Sequence, residues 1–123
     1  DGEPGRPVLY NSVIVSQTLG VFVDSTTSQN LATLYGVLWY DNGSNYDGTV
    51  FAFDEVTGDP RFVDAANYDY HILDGSSAID ASPDNWLNVD FDIQPRFGIS
   101  DLGADEFMYE EFCRLLIPFV AKE

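Results

Sequence analysis

Acidic residues between Asp90 and Glu106 are the residues whose type and spacing come closest to a chemical site. Asp90, Asp92, Asp101 and Asp105 punctuate this stretch, and Glu106 follows directly. Calcium binds about six to eight oxygen ligands, which carboxylates supply well. We therefore expect a calcium site formed by the four aspartates. The alternative is a set of solvated turn carboxylates that accept hydrogen bonds from nearby backbone N–H groups. The sequence contains no D-x-D-x-D-G pattern of an EF-hand loop.

Aromatic side chains form 15% of the chain and suggest contact with carbohydrate. The candidates are Trp39, Tyr40 and Trp86. Because consecutive residues of a strand point to opposite faces, one of Trp39 and Tyr40 must face outward. Trp86 lies in a loop, where the alternative is that it covers the open end of the fold.

Other residue types give no catalytic site, and we assign no catalytic residue. His71 is the one histidine in the sequence, so a metal site built from several histidines is excluded. We expect His71 to be half-buried and hydrogen-bonded. Arg96 lies among acids, and we expect a structural ion pair with Asp90 or Asp92 rather than a catalytic base. Cys113 lies in an apolar stretch typical of a buried small hydrophobic residue.

Length and charge restrict the class of protein. A chain of 123 residues is enough for one domain, and its 45% hydrophobic residues predict a folded core. The net charge of −16 disfavours nucleic acid and anionic membrane surfaces as partners. The sequence has no run of about 18 apolar residues, so we expect no membrane insertion. Since Asp1 rather than Met begins the chain, we expect a processed product or an excised piece.

Short apolar runs bounded by turn residues predict strands throughout residues 1–105. A shift of 25 residues places residues 9–17 over residues 34–42, with an identical Leu-Tyr pair at the start of each. A further strand follows each copy, at residues 21–23 and 49–51. A period in the mid-twenties without helices is typical of a β-helix, in which each coil stacks on the next.

The second half of the chain carries five motifs in a fixed order. They are GDPRFVD (58–64), DYHIL (69–73), GSSAIDA (75–81), DFDIQPR (90–96) and DLGADEF (101–107). This series resembles the terminal segment of secreted bacterial right-handed parallel β-helix proteins of the pectate-lyase-like superfamily. Departures occur at residues 82–83, where that pattern has Gly, and at residues 93–94, where it has Asp-Gly.

The resemblance implies an all-β fold made of the last two to three coils of a right-handed parallel β-helix. We place the coils at residues 1–57, a β-rich C-terminal cap at 58–107 and a tail at 108–123. The cap is expected to cover the strand edges and apolar column exposed at the last coil. A short helix is predicted over residues 106–116.

The predicted function is non-catalytic. It is the capping and stabilisation of a secreted or cell-surface β-helix, with weak contact to a polysaccharide. The partners would be the upstream coils of the parent chain. Two alternatives stay open. One is a fragment of a polysaccharide lyase or another carbohydrate-active enzyme whose catalytic coils lie upstream. The other is a self-associating surface module that stacks through its open N-terminal coil, residues 8–24. Calcium is the one cofactor considered.

Overall fold

A computed structural model describes residues 3–83 and 87–109. Its regular structure is β apart from one 3-10 turn, Ala65–Asn67, so the all-β expectation is confirmed at this level. The strands are β1 (Val8–Val15), β2 (Leu19–Phe22), β3 (Ala32–Tyr40), β4 (Ser44–Asp47), β5 (Val50–Thr57), β6 (Phe62–Asp64) and β7 (Asp69–Ile72). No helix within the described residues is long and apolar enough to cross a bilayer.

The first five strands form two parallel sheets. One has the order β1-β3-β5, and the other pairs β2 with β4. Leu9 lies opposite Leu34 in the first sheet, and Leu19 lies opposite Ser44 in the second. The backbone N–H of Gln17 donates to Asn42 across the same separation of 25 residues. The offset seen in the sequence is therefore the register of both sheets.

The second strand of the later copy lies earlier than the sequence predicts. We expected residues 49–51 to align with residues 21–23, but β2 pairs with β4, and Val50 begins β5. The turn after β3 is as short as the turn after β1. The sequence of β4, Ser-Asn-Tyr-Asp, is polar and reads as a turn, which explains the misassignment.

Left-handed residues recur at aligned positions of the strands. Asn11, Gly36 and Asp54 have φ values of 46°, 65° and 54°, and each interrupts its strand at the same level of the sheet. Such a residue breaks the two-residue alternation of side chains. Leu34 therefore faces one side of the sheet, whereas Leu38, an even number of residues later, faces the other.

Two apolar cores flank the first sheet. The inner core lies between the two parallel sheets and is formed by Leu9, Ile14, Val21, Val23, Ala32, Leu34, Val37, Trp39, Val50 and Ala52. The outer core lies on the opposite face of the first sheet. There Leu38, with Val13, Val15 and Val56, packs against Phe62, Ile72, Ala78, Ile79, Ala81, Leu102 and Phe107.

Residues 58–83 and 87–109, which we call the side segment, supply the outer half of this second core. They begin with the antiparallel hairpin of β6 and β7 and continue as turns. We expected this region to cover the open end of the sheets. Its described part instead packs on the outward face, and no described residue pairs with the free edge of β5.

The predicted C-terminal helix is not present where it can be seen. Residues 106–109 have no helical structure, and residues 110–116 lie outside the described part of the chain. The predicted plug residue Trp86 also lies outside the described residues.

Candidate functional site

His71 on β7 forms the centre of a cluster of carboxylates in the side segment. Its Nδ1 lies 2.5 Å from Oδ1 of Asp69, two residues earlier on the same face of the strand. Its Nε2 lies 2.6 Å from Oδ2 of Asp92, which a separate turn presents. The ring also contacts the ring of Phe91, with centroids 4.8 Å apart. His71 thereby joins the hairpin to the turn that contains Asp92.

These contacts control the charge of the cluster. Hydrogen bonds to Asp69 and then to Asp92 raise the pKa of His71 to about 9, so the imidazole is protonated at neutral pH. The hydrogen bond from His71 lowers the pKa of Asp69. Burial raises the pKa of the neighbouring Asp105 because it disfavours the charged carboxylate.

The cluster is where a cation could bind. One ligand atom each from His71, Asp92 and Asp105 lie within 4.8 Å of one another. Among residues 3–83 and 87–109, no other group of three potential ligands meets this criterion. A metal ion that uses His71 as a ligand would have to displace the imidazole proton. Without a cation, the arrangement acts as an ionic link between two parts of the side segment.

The four predicted calcium ligands do not surround one centre. Asp92 and Asp105 come together at His71, whereas Asp90 and Asp101 do not belong to that group. Asp90 is buried and accepts hydrogen bonds from the backbone N–H groups of Asp92, Gln94 and Glu106. Asp101 is also buried and accepts from the backbone of Asp80 and Phe107. Their oxygens hold turns in place, as in the alternative interpretation.

Arg96 holds the turns of the side segment together. The sequence predicted an ion pair with Asp90 or Asp92, but the guanidinium pairs with Glu106, with Nη1 and Oε2 3.2 Å apart. Arg96 also donates to three backbone carbonyl oxygens, those of Val89, Asp101 and Gly103. The aspartates closest in sequence are occupied by backbone donors, which explains why the partner is Glu106.

The aromatic candidates separate into buried and exposed. Trp39 is 1% exposed and donates its indole N–H to Oε1 of Glu55, so its ring face is not available to a sugar. Tyr40 takes the outward position and is 40% exposed.

A further aromatic column lies on the outward face of the first sheet. Tyr10, Tyr35 and Phe53 are stacked, with centroid separations of 5.1 and 5.2 Å. Sugars stack on the faces of aromatic rings, but here the neighbouring rings cover most of those faces. The column therefore stabilises the sheet, and Tyr40 remains the candidate for carbohydrate contact.

Two signals in the sequence could have identified more of this site. Asp69 and His71 are two residues apart in a predicted strand, which places both side chains on one face. Glu106 was counted among the solvated acids, although it belongs to the same motif as Asp101, whose backbone N–H it binds. No family model, curated protein or solved structure matches the chain.

Proposed function

We propose that this chain is the terminal segment of a right-handed parallel β-helix and that its role is to end and stabilise the coils without catalysing a reaction. The shared register of 25 residues in both parallel sheets supports stacked coils. The aligned left-handed residues support equivalent bends in successive coils. Connections between parallel strands of one sheet are right-handed in about 98% of cases, which supports the handedness.

The observation that carries the terminal role is the change in the inner positions of β5. Glu55 lies opposite the buried Val37, and Thr57 lies opposite the buried Trp39. Side chains at one register level of a parallel sheet share a face, so β5 places polar groups where β3 has apolar ones. Inward-pointing charges at an edge strand oppose the addition of another strand. The other edge, β1, keeps Leu9 and Ile14 in the inner core.

The side segment supplies the stabilising part of the proposed role. Leu38 is 0% exposed because the side segment packs on the outward face of β3. Complete burial of a leucine side chain contributes about 1.5–3 kcal/mol to the free energy of unfolding. The last coils would thus be buried on two faces, which compensates for having a neighbouring coil on one side alone.

A secreted or cell-surface location and weak contact with a polysaccharide belong to the same proposal. The net charge of −16 is compatible with an extracellular protein, and Tyr40 is the exposed aromatic candidate. We propose no catalytic step, because both ring nitrogens of His71 are engaged by carboxylates. Catalytic coils upstream would make the parent protein an enzyme without changing the role of this segment.

The test is to add a coil. A copy of residues 8–32, placed directly before Val8 in place of residues 1–7, keeps the period of 25 residues. We expect this insertion variant to remain monomeric and to unfold at a higher urea concentration than the original chain, because β1 gains a partner strand. An insertion variant that gains no stability would overturn the proposal. A wild-type chain that forms dimers through β1 in light scattering would favour the self-associating module instead.

A further inference from the structure

A cavity of about 410 Å³ lies between β1 and the side segment. We call it the side cavity. On one side it is lined by β1, including Val13 and Val15, and on the other by the apolar side chains of Phe62, Ile72 and Leu102. No residue of β3 or β5 lines it. Since β1 is an edge strand, the side cavity lies where the sheet stops and the side segment continues.

The packing above the side cavity shows what is incomplete below it. Val13, Leu38 and Val56 lie at one level of three adjacent strands and all belong to the outer core. The central member, Leu38, is completely buried, whereas Val13 at the edge is partly exposed. The side segment therefore extends past β1 and presents apolar surface to a level of the sheet at which the chain described here has no strand.

We infer that the side cavity is a binding site for apolar side chains of a further strand that pairs in parallel with the free edge of β1. Neighbouring strands of a sheet lie about 4.8 Å apart, so a strand added to β1 would continue the column of Val13 and Leu38 into the side cavity. The side segment would then contact both the last coils and the coil before them. The inference rests on the proposed function and adds the chemistry by which the preceding coil is recognised.

The register defines the sequence that this strand should have. The residue opposite Leu9 should be apolar and face the inner core, and the residue opposite Tyr10 should be aromatic to extend the stacked column. Gly or Asn is expected opposite Asn11, where the backbone is left-handed. The residues opposite Val13 and Val15 should be apolar because they enter the side cavity.

A preceding coil of the same polypeptide fits this site better than a second copy of the chain. Each copy carries a charge of −16, so two copies repel each other. A coil joined covalently to Val8 is present at a high effective concentration and does not pay for association. The occupant is therefore a coil on the N-terminal side of β1.

The experiment uses two aspartate substitutions inside the copy of the insertion variant. Val13→Asp in the copy would place a carboxylate in the side cavity, whereas Val8→Asp would place one on the outward face away from it. Val8 is 50% exposed and does not line the side cavity. We expect Val13→Asp to remove most of the gain in urea midpoint and Val8→Asp to leave most of it.

The outcomes separate the two proposals. A gain in midpoint that both aspartate variants lower equally would overturn the inference, while the stacking of a further coil would stand. An insertion variant without any gain would overturn both. As a second measurement, the thiol of Val13→Cys in the original β1, in a Cys113→Ser background, should react more slowly with a maleimide after the insertion. An unchanged labelling rate would also contradict the inference.

Discussion

Arg96 and Glu106 form an ion pair whose side chains are only 3% and 5% exposed. Glu106 also accepts hydrogen bonds from the backbone N–H groups of Phe97 and Asp101. Burial raises the pKa of Glu106, since it disfavours the charged carboxylate. The nearby guanidinium acts in the opposite direction. The pair thus links turns that have no regular structure and depends on both members being present.

Removal of Arg96 should destabilise the whole fold. Arg96→Ala would leave Glu106 buried without its cation and would take a donor from three backbone carbonyl groups. Breaking a buried pair by removing one partner costs about 3–5 kcal/mol. We expect a loss of this size in the free energy of unfolding in urea. Fluorescence of Trp39 measures it in a Trp86→Phe background, which leaves one tryptophan.

Arg6→Ala is the matched control because Arg6 is exposed and carries the same charge. Its effect should stay within about 0.5 kcal/mol, as for most surface substitutions. Trp39 belongs to the inner core, so its fluorescence also reports whether the side segment stabilises the strands. If Arg96→Ala left the unfolding of Trp39 unchanged, the stabilising role of the side segment would be wrong.

The strands could be predicted from the sequence to the extent that side chains alone define them. The Leu-Tyr pairs at Leu9 and Leu34 lie opposite each other because the chain makes two equal circuits between them. The polar strand β4 could not be predicted, because it owes its pairing to the position of β2 rather than to its own residues. Gly36 suggested a turn, although it lies inside β3 as a bend.

The site was less predictable than the strands because long-range backbone contacts form it. The acidic composition around Asp90 and Asp101 suggested a cation, but buried backbone N–H groups from distant turns use these carboxylates. A sequence does not reveal which carboxylate is buried, so the partner of Arg96 could not be chosen among several acids. The position of the side segment on an outward face depends on the reversal of faces at Gly36, which composition does not show.

The charge of His71 gives a prediction that NMR can test directly. The sequence contains one histidine, so its Hε1 resonance is unambiguous. We expect the resonance to titrate with a midpoint near pH 9, since hydrogen bonds to Asp69 and Asp92 raise the pKa of His71 to about 9, and Asp105 adds a smaller attraction. Asp69→Asn should lower the midpoint more than Asp92→Asn, because the bond to Asp69 has the larger effect.

The same titration affects stability. The folded protein binds the proton more tightly than the unfolded chain, whose histidine has a pKa near 6.5. The contribution of His71 is therefore complete below about pH 6.5 and is lost as the pH rises through about 9. Urea unfolding should show a larger difference between wild type and His71→Gln at pH 6 than at pH 10. A difference that grew toward pH 10 would contradict the ionic link.

Two glycines allow the contact between β3 and the side segment to be tested. Gly36 has φ of 65°, and a Cβ there would overlap the ring of Pro83 and approach Leu102 to 3.2 Å. Gly98 has φ of 63°, but a Cβ would meet nothing within 4 Å. Alanine at either position adopts a strained left-handed conformation that costs about 1–2 kcal/mol. Gly36→Ala should lose clearly more stability than Gly98→Ala in urea, because it also displaces the side segment. Equal losses would place the side segment elsewhere.

Glu55 provides a test of the terminal strand. Its carboxylate faces the inner side of β5 and accepts the indole N–H of Trp39, with an N–O distance of 2.9 Å. Glu55→Val would extend the apolar inner surface to a free strand edge, which invites pairing with another chain. We expect its mass in light scattering to rise with protein concentration. Glu55→Gln keeps a polar acceptor at the edge and should stay monomeric. If Glu55→Val also stayed monomeric at millimolar concentration, Glu55 would not be the group that closes this edge.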